Sequence, residues 1–298
     1  MHINFENLIN KNNNFDLIVD LNDTVSTLKY KIISNFPKLF QLSIERLGIY
    51  TKQTINGKNS NIYLTNFQQK LVDYDVKNNS TLYIKDLGPQ ISWRAVYIVE
   101  YIGPIFIILF WFLLNKEHNS NIQKMLFLMS TFHYLKRLFE SIFLHKFSNP
   151  TMPLKNLFIN CIYYWGIYGL FCGYNIFNSR SNNSNSLIRW FFVFLFFCSE
   201  IKNLKCHLIL SELKNSNTGS KGIPYGQGFE LVSCANYFWE FCSWLNFSIF
   251  SLNISCFIFT FIGLYMMHSW AHKKHKLYKE IFGDKYPKSR KAMIPYIS

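Results

Sequence analysis

The chain has 298 residues, enough for one large or two modest domains, and carries a formal charge of +14. It is 49% hydrophobic and 18% aromatic, with 30 Phe, which is heavy for a soluble protein. The basic excess sits in loops that flank apolar runs and in the C-terminal tail, without a nucleic-acid motif, so it reads as membrane topology and excludes nucleic acid as a partner. Seven Cys lie mostly inside apolar segments with no CxxC pair, which excludes a disulfide or zinc framework.

Residues 1–90 are polar and Asn-rich, and the opening MHINFENLINKNNN has no hydrophobic signal core. Short β-like runs fall at Ile3–Phe5, Phe15–Val19, Arg46–Tyr50, Ile62–Leu64 and Thr81–Lys85. Between the second and third, the spacing of Val25, Leu28 and Ile32 predicts a helix with Asp23 or Thr24 as its N-cap. This element order resembles the ubiquitin-like β-grasp. The run ends Ile84-Lys85-Asp86-Leu87-Gly88-Pro89, without a Gly-Gly tail for conjugation, so a cap or docking module is expected over residues 1–86.

Six apolar segments follow at Ala95–Leu114, Met125–Leu144, Leu157–Phe177, Leu187–Leu210, Leu231–Leu252 and Ile254–Ala271. Each approaches the ~20 residues a membrane helix needs, so residues 87–298 are expected to form a polytopic helical bundle of about six spans. An even number of spans puts both ends on one side. Eight Lys/Arg after Ala271 assign that side to the cytosol. The sequon Asn182-Asn183-Ser184 falls in a predicted luminal loop.

Polar groups recur inside these spans. His133, Lys136, Arg137 and Glu140 form a stripe on one helical face, Glu200, Asn203 and His207 another, and Asn236, Glu240 and Ser243 a third, with Tyr237 beside it. Glu100 stands near the start of the first span. A carboxylate among apolar helices marks a functional site by default. Most of these groups fall at the cytosolic ends of their spans, which predicts one polar cavity open to the cytosol. No GxGxxG, P-loop or HExxH occurs. His133, His207, His268, His272 and His275 have no carboxylate at the usual ligand spacing, so no metal is expected. Arg, Lys, Asn and Tyr suit a phosphate-bearing, adenine-containing ligand.

Lys85-Asp86-Leu87-Gly88-Pro89-Gln90-Ile91-Ser92-Trp93, VEYIGP with Glu100, FHYLKRLFESIFLHKFS from Phe132 and TMPLKNLFINCIYYWG from Thr151 resemble the steroid 5α-reductase superfamily. So do IPYGQG from Ile223, LVSCANYFWEFCSW from Leu231 and HKLYKEIFGDKYPKSRKAMIPY from His275. The resemblance is closest to the very-long-chain trans-2-enoyl-CoA reductase branch, which also carries a ubiquitin-like domain. It implies reduction of a long trans-2-enoyl-CoA by NADPH at the endoplasmic reticulum membrane, beside other fatty acid elongation enzymes. Tyr237 is then the expected proton donor, with Lys136 activating it or holding the thioester oxygen. Steroid-reducing relatives match Glu100 and Tyr134 as the carbonyl-polarising pair, and which pair acts here stays open. The implied cofactor contacts are Arg137, Asn203, His207, Asn236, Glu240 and Tyr278, with Arg290 within reach of a cofactor phosphate. Ala235 stands where the family has Pro, Gln227 interrupts a usual Gly-Gly, and one extra residue separates Tyr278 from Pro287. Alternative functions are reduction of a steroid or polyprenol-type enone, or a scaffold without catalysis.

Overall fold

The computed structural model describes residues 2–9, 14–37, 40–55, 58–74, 76–146, 150–179, 187–214 and 222–297, so the sequon at Asn182 lies outside it. The chain forms two compact units, Met1–Val96 with Phe147–Phe158, and Tyr97–Lys146 with Ile159–Ser298.

The first unit is built on strands β1 (His2–Asn7), β2 (Phe15–Ile18), β3 (Leu47–Ile55), β4 (Lys58–Tyr63) and β5 (Thr81–Asp86). They order as β2-β1-β5-β3-β4, with β1 and β5 parallel and the other pairs antiparallel. A parallel pair requires a crossover, and helix α1 (Val25–Asn35) lies in that connection. This is the β-grasp arrangement. Thr24 caps α1 by accepting from the Thr27 amide, and Val25, Leu28 and Ile32 enter the core as their spacing predicts. A two-stranded ribbon, β6 (Gln90–Ser92) with β7 (Thr151–Pro153), pairs Ile91 with Met152 and brings 150–153 into this unit. The compact units therefore do not divide at Asp86.

Lys29 shares the buried face of α1, which apolar spacing alone did not flag. Its Nζ stands 3.4 Å from the Ile44 carbonyl and 4.3 Å above the Phe67 ring. Burial pushes its pKa down to about 8, against an upward pull from Glu45. The unfolded chain then binds more protons between about pH 8 and the ordinary lysine value, so stability rises with pH across that window. Lys29→Met should stabilise this unit by about 1–3 kcal/mol at pH 7. Hydrogen exchange of the α1 amides in the full chain measures this. The gain should fade towards pH 10, and a loss of protection at pH 7 would refute the burial penalty.

The second unit is helical. Its elements are α2 (Trp93–Leu114), α3 (Asn121–Phe139) running into a π turn at Glu140–Leu144, α4 (Lys155–Cys161), a π segment at Ile162–Cys172, α5 (Gly173–Asn178), α6 (Leu187–Leu213), α7 (Ala235–Ser251) and α8 (Ile254–Phe282). Each expected apolar segment contains helix. Two helical stretches, Trp93–Leu114 and Ile254–Lys285, are long and apolar enough to cross a membrane. The other segments fall short of that test for visible reasons. Polar stripes interrupt α3 and α6, π geometry divides Lys155–Asn178, and α7 is 17 residues long. Two edges also differ. Leu231–Cys234 is held by the tail before α7 begins at Ala235, and α8 continues past Ala271 to Phe282.

Small residues let these helices approach closely. Trp165 donates from Nε1 to the Val99 carbonyl at 3.1 Å, and its ring occupies the space where a Cβ on Gly103 would stand, 2.0 Å away. Gly166 has nothing within 4 Å of such an atom. Gly103→Ala should therefore lower stability in detergent by about 1–3 kcal/mol through overpacking. Gly166→Ala, which gains helix propensity without a clash, should be neutral or stabilising in the same thermal scan. Equal melting temperatures for the two variants would refute this packing account.

Candidate active site

Helix α3 carries His133, Lys136, Arg137 and Glu140 on one face, and α6 presents Glu200, Asn203 and His207 to it. Lys136 Nζ lies 2.7 Å from Glu200 Oε2 and donates to Asn203 Oδ1 at 2.5 Å. Arg137 Nη1 meets Glu140 Oε2 at 2.7 Å, and the same oxygen lies 3.0 Å from His207 Nδ1. Arg137 Nη2 donates to the Tyr101 hydroxyl at 2.8 Å. Glu140 begins the π turn, whose wider ring closes with the His145 amide donating to the Glu140 carbonyl at 2.7 Å. Such turns recur at functional sites. Lys136 and Arg137 both lie within helical reach of Glu140, at i+4 and i+3 spacing. Arg137 pairs with it closely, while Lys136 stands 3.8 Å from the other Glu140 oxygen and takes Glu200 instead.

Helix α7 closes the cluster. Asn203 Nδ2 donates to the Asn236 carbonyl at 2.9 Å, which fixes the first turn of α7 and leaves the buried Asn236 Oδ1 without a partner among the described residues. His133 links the other two helices, with Nδ1 2.8 Å from Glu200 Oε1 and Nε2 3.4 Å from Glu240 Oε1. Ser243 shares the Asn236/Glu240 face but donates to the Trp239 carbonyl at 3.0 Å and stays out of the network.

The structure thus joins Lys136, Arg137, Asn203 and His207 directly, Glu240 through His133, and Asn236 through its backbone. Glu100 is buried and accepts from Asn160 Nδ2 at 2.7 Å. Tyr134 is wholly buried among the rings of Tyr101, Tyr168 and Trp244, and its hydroxyl has no partner among the described residues. Tyr237 is half-buried with its ring 6.3 Å from Trp270, and none of its hydrogen bonds reaches Lys136.

A second polar centre forms where the tail meets the start of α7. The Lys291 amide donates to the Leu231 carbonyl, the Ser233 amide to the Lys291 carbonyl at 2.8 Å, and the Cys234 amide to the Ala292 carbonyl. Ser233 Oγ lies 2.5 Å from both His275 Nδ1 and the Tyr286 hydroxyl. This ladder buries Arg290, leaving it 2% exposed, with its guanidinium 4.6 Å over the Tyr225 ring and 5.5 Å from that of Tyr286. None of its three nitrogens meets a hydrogen-bond acceptor among the described residues. Tyr225 precedes three consecutive left-handed residues, Gly226, Gln227 and Gly228, at φ 87°, 57° and 101°. Gln227 therefore sits in a conformation that glycine adopts freely, which accounts for the glycine usual there. The Glu230 carboxyl is held below its usual range by its own backbone amide, those of Gly226 and Gly228, and Arg290. Tyr278 is buried beside Tyr286, with Lys274 Nζ 5.4 Å over its ring.

Spacing did not reveal Asn160, Tyr101, Tyr225, Ser233 or Tyr286, because each acts through a partner distant in sequence. Spacing also missed the carboxylate beside the histidines. Glu140, His145 and His207 bring ligand atoms within 4.8 Å of one another. Arg137 and Lys136 flank that carboxylate, so its charge is already met by cations.

Residues 150–298 match the family model described as 3-oxo-5-alpha-steroid 4-dehydrogenase. The chain belongs to the steroid 5α-reductase family, as its motifs implied. It is 38% identical over 280 residues to "Very-long-chain enoyl-CoA reductase" of Dictyostelium discoideum, covering 92% of each chain. It is also 38% identical over 249 residues to "Probable very-long-chain enoyl-CoA reductase art-1" of Caenorhabditis elegans, covering 77% of this chain and 80% of that one.

Removing one member of a buried ion pair strands the other, whereas removing both does not. Lys136→Met should cost about 3–5 kcal/mol of stability, and adding Glu200→Gln should recover part of that loss. Thermal unfolding in detergent measures the cycle. Additive losses would show that the two groups do not depend on each other.

Proposed function

We propose that the protein is an NADPH-dependent enoyl-CoA reductase that saturates the 2,3-trans double bond of long acyl-CoA substrates, the closing step of a fatty acid elongation cycle. The observation that carries the reading is a pair of buried polar groups, Asn236 Oδ1 and the Arg290 guanidinium, that keep free hydrogen-bonding capacity among the described residues beside the ionic cluster. The Asn236 side-chain oxygen and the Arg290 guanidinium are buried without a hydrogen-bond partner among the described residues, which a fold tolerates chiefly where a ligand completes them. An amide-bearing, phosphate-bearing cofactor fits both, and the tyrosine walls of Arg290 suit a flat base beside the phosphate.

In this reading Arg290 grips the phosphate that distinguishes NADPH, while Asn236, Glu240, Asn203, Arg137, His207 and Tyr278 line the cofactor. The bound nicotinamide supplies hydride to C3 of the substrate. Negative charge then develops on the thioester oxygen and C2, and the protein must stabilise it and deliver a proton. The buried Tyr134 hydroxyl on α3, paired with Glu100 of α2 by the family resemblance, is the donor assigned to the thioester oxygen. Tyr237, whose hydroxyl is not engaged by Lys136, donates the proton to C2. Lys136, paired with Glu200 and hydrogen-bonded to Asn203, holds α3 against α6 and so orders the donors around the substrate. The assignment is supported by the relatives' names and by the positions of these groups on the family motifs.

The chain is proposed to cross the endoplasmic reticulum membrane six times, with both ends cytosolic and other elongation enzymes as neighbours. The β-grasp unit is assigned to the cytosol as a docking module.

The test is NADPH oxidation by purified protein with trans-2-hexadecenoyl-CoA. Tyr237→Phe should lower kcat by about 100-fold or more. Arg290→Leu should raise the KM for NADPH by about tenfold or more and leave NADH turnover nearly unchanged. Wild-type protein that ignores the enoyl-CoA but reduces a steroid enone would overturn the substrate assignment.

A further inference from the structure

His133 is absent from the groups expected to touch cofactor or substrate, yet it occupies the middle of the cluster. It is 1% exposed, and both ring nitrogens face carboxylates that come from different helices. Nδ1 reaches Glu200 on α6 at 2.8 Å, and Nε2 reaches Glu240 on α7 at 3.4 Å. Glu200 in turn holds Lys136 through its other oxygen at 2.7 Å. Glu240 has no other ion pair among the described residues. The ring is itself fixed, with its centroid 4.6 Å from Trp244 and 5.1 Å from Tyr134 in edge contacts.

We infer that His133 is the positioning residue that sets two parts of the site at once: Lys136 through Glu200, and the cofactor carboxylate Glu240. The inference rests on the reductase reading above. Its physical basis is that a carboxylate on a side chain with three rotatable bonds keeps one orientation only when a rigid partner holds it. Imidazole is rigid and offers two nitrogens about one ring apart, so a single side chain on α3 references both α6 and α7. The Glu200 link is short and the Glu240 link long, so the two can be severed separately. An Asn amide reaches about where Nδ1 stands, and a Gln amide about where Nε2 stands.

The experiment compares His133→Asn, His133→Gln and His133→Phe in full-length protein. Each is measured by equilibrium NADPH binding, by kcat on the enoyl-CoA, and by thermal unfolding. Asn keeps the Glu200 arm, so NADPH Kd should rise about tenfold while kcat stays within about threefold. Gln keeps the Glu240 arm, so Kd should hold and kcat should fall about tenfold or more. Phe should lose both, and Glu240→Gln added to the Asn variant should raise Kd no further. This crossed pattern supports the inference, because a residue needed only for packing would shift Kd and kcat together in step with the melting temperature. Parallel losses in all three variants overturn it. If wild-type protein binds NADPH but does not turn over enoyl-CoA, the reductase reading fails by itself. The Kd contrast between the Asn and Gln variants then still decides the Glu240 arm.

Discussion

Charge placed among apolar helices must be neutralised where it stands, because no solvent is available to do so. Lys136 and Glu200, 2.7 Å apart on α3 and α6, are the pair on which the rest of the helical unit depends. Arg137 with Glu140 repeats the pattern one step along α3. Once these pairs fix the two helices, the remaining polar atoms have few choices. Asn203 must turn one end to Lys136 and the other to the Asn236 carbonyl, which sets where α7 begins relative to α6. His207 completes Glu140, and Tyr101 completes Arg137. Satisfying buried charge and positioning helices are therefore the same event.

Within and beside this network several buried polar atoms keep no hydrogen-bond partner among the described residues, Arg137 Nε and the Tyr134 hydroxyl among them. Asn236 Oδ1 and the Arg290 guanidinium are both within a few residues of the ladder between the tail and Leu231–Cys234. Folding pairs Lys136 with Glu200 and Arg137 with Glu140, while Asn236 Oδ1 and Arg290 keep hydrogen-bonding capacity that suits the ligand proposed above.

Much of this was legible because helical period places side chains on faces. The α3, α6 and α7 stripes could be written from spacing, and Val25, Leu28 and Ile32 identified the core face of α1. Partner choice was not legible. His133 and Glu200 are 67 positions apart, and nothing local says that they meet or that Lys136 prefers Glu200 to Glu140. Lys29 shows a second limit, since an amphipathic stem can be buried where a charge is expected outside. The segment Leu231–Cys234 shows a third. An apolar run reads as helix by composition, but these four residues pair with the tail instead. Composition marks the helices more clearly than it marks which of them could cross a membrane, because the polar stripes dilute the apolar signal.

The ladder between Ser233 and Lys291 has a consequence for how a bulky lipid reaches the interior. Helices α7 and α8 are joined at one end by the turn at Leu252 and Asn253, and at the other by the tail lying across Leu231–Cys234. Two rods fastened at both ends cannot spread apart without breaking one fastening. The seam between them is therefore closed rather than a side door. On the function proposed above, an acyl chain would have to enter elsewhere than between α7 and α8.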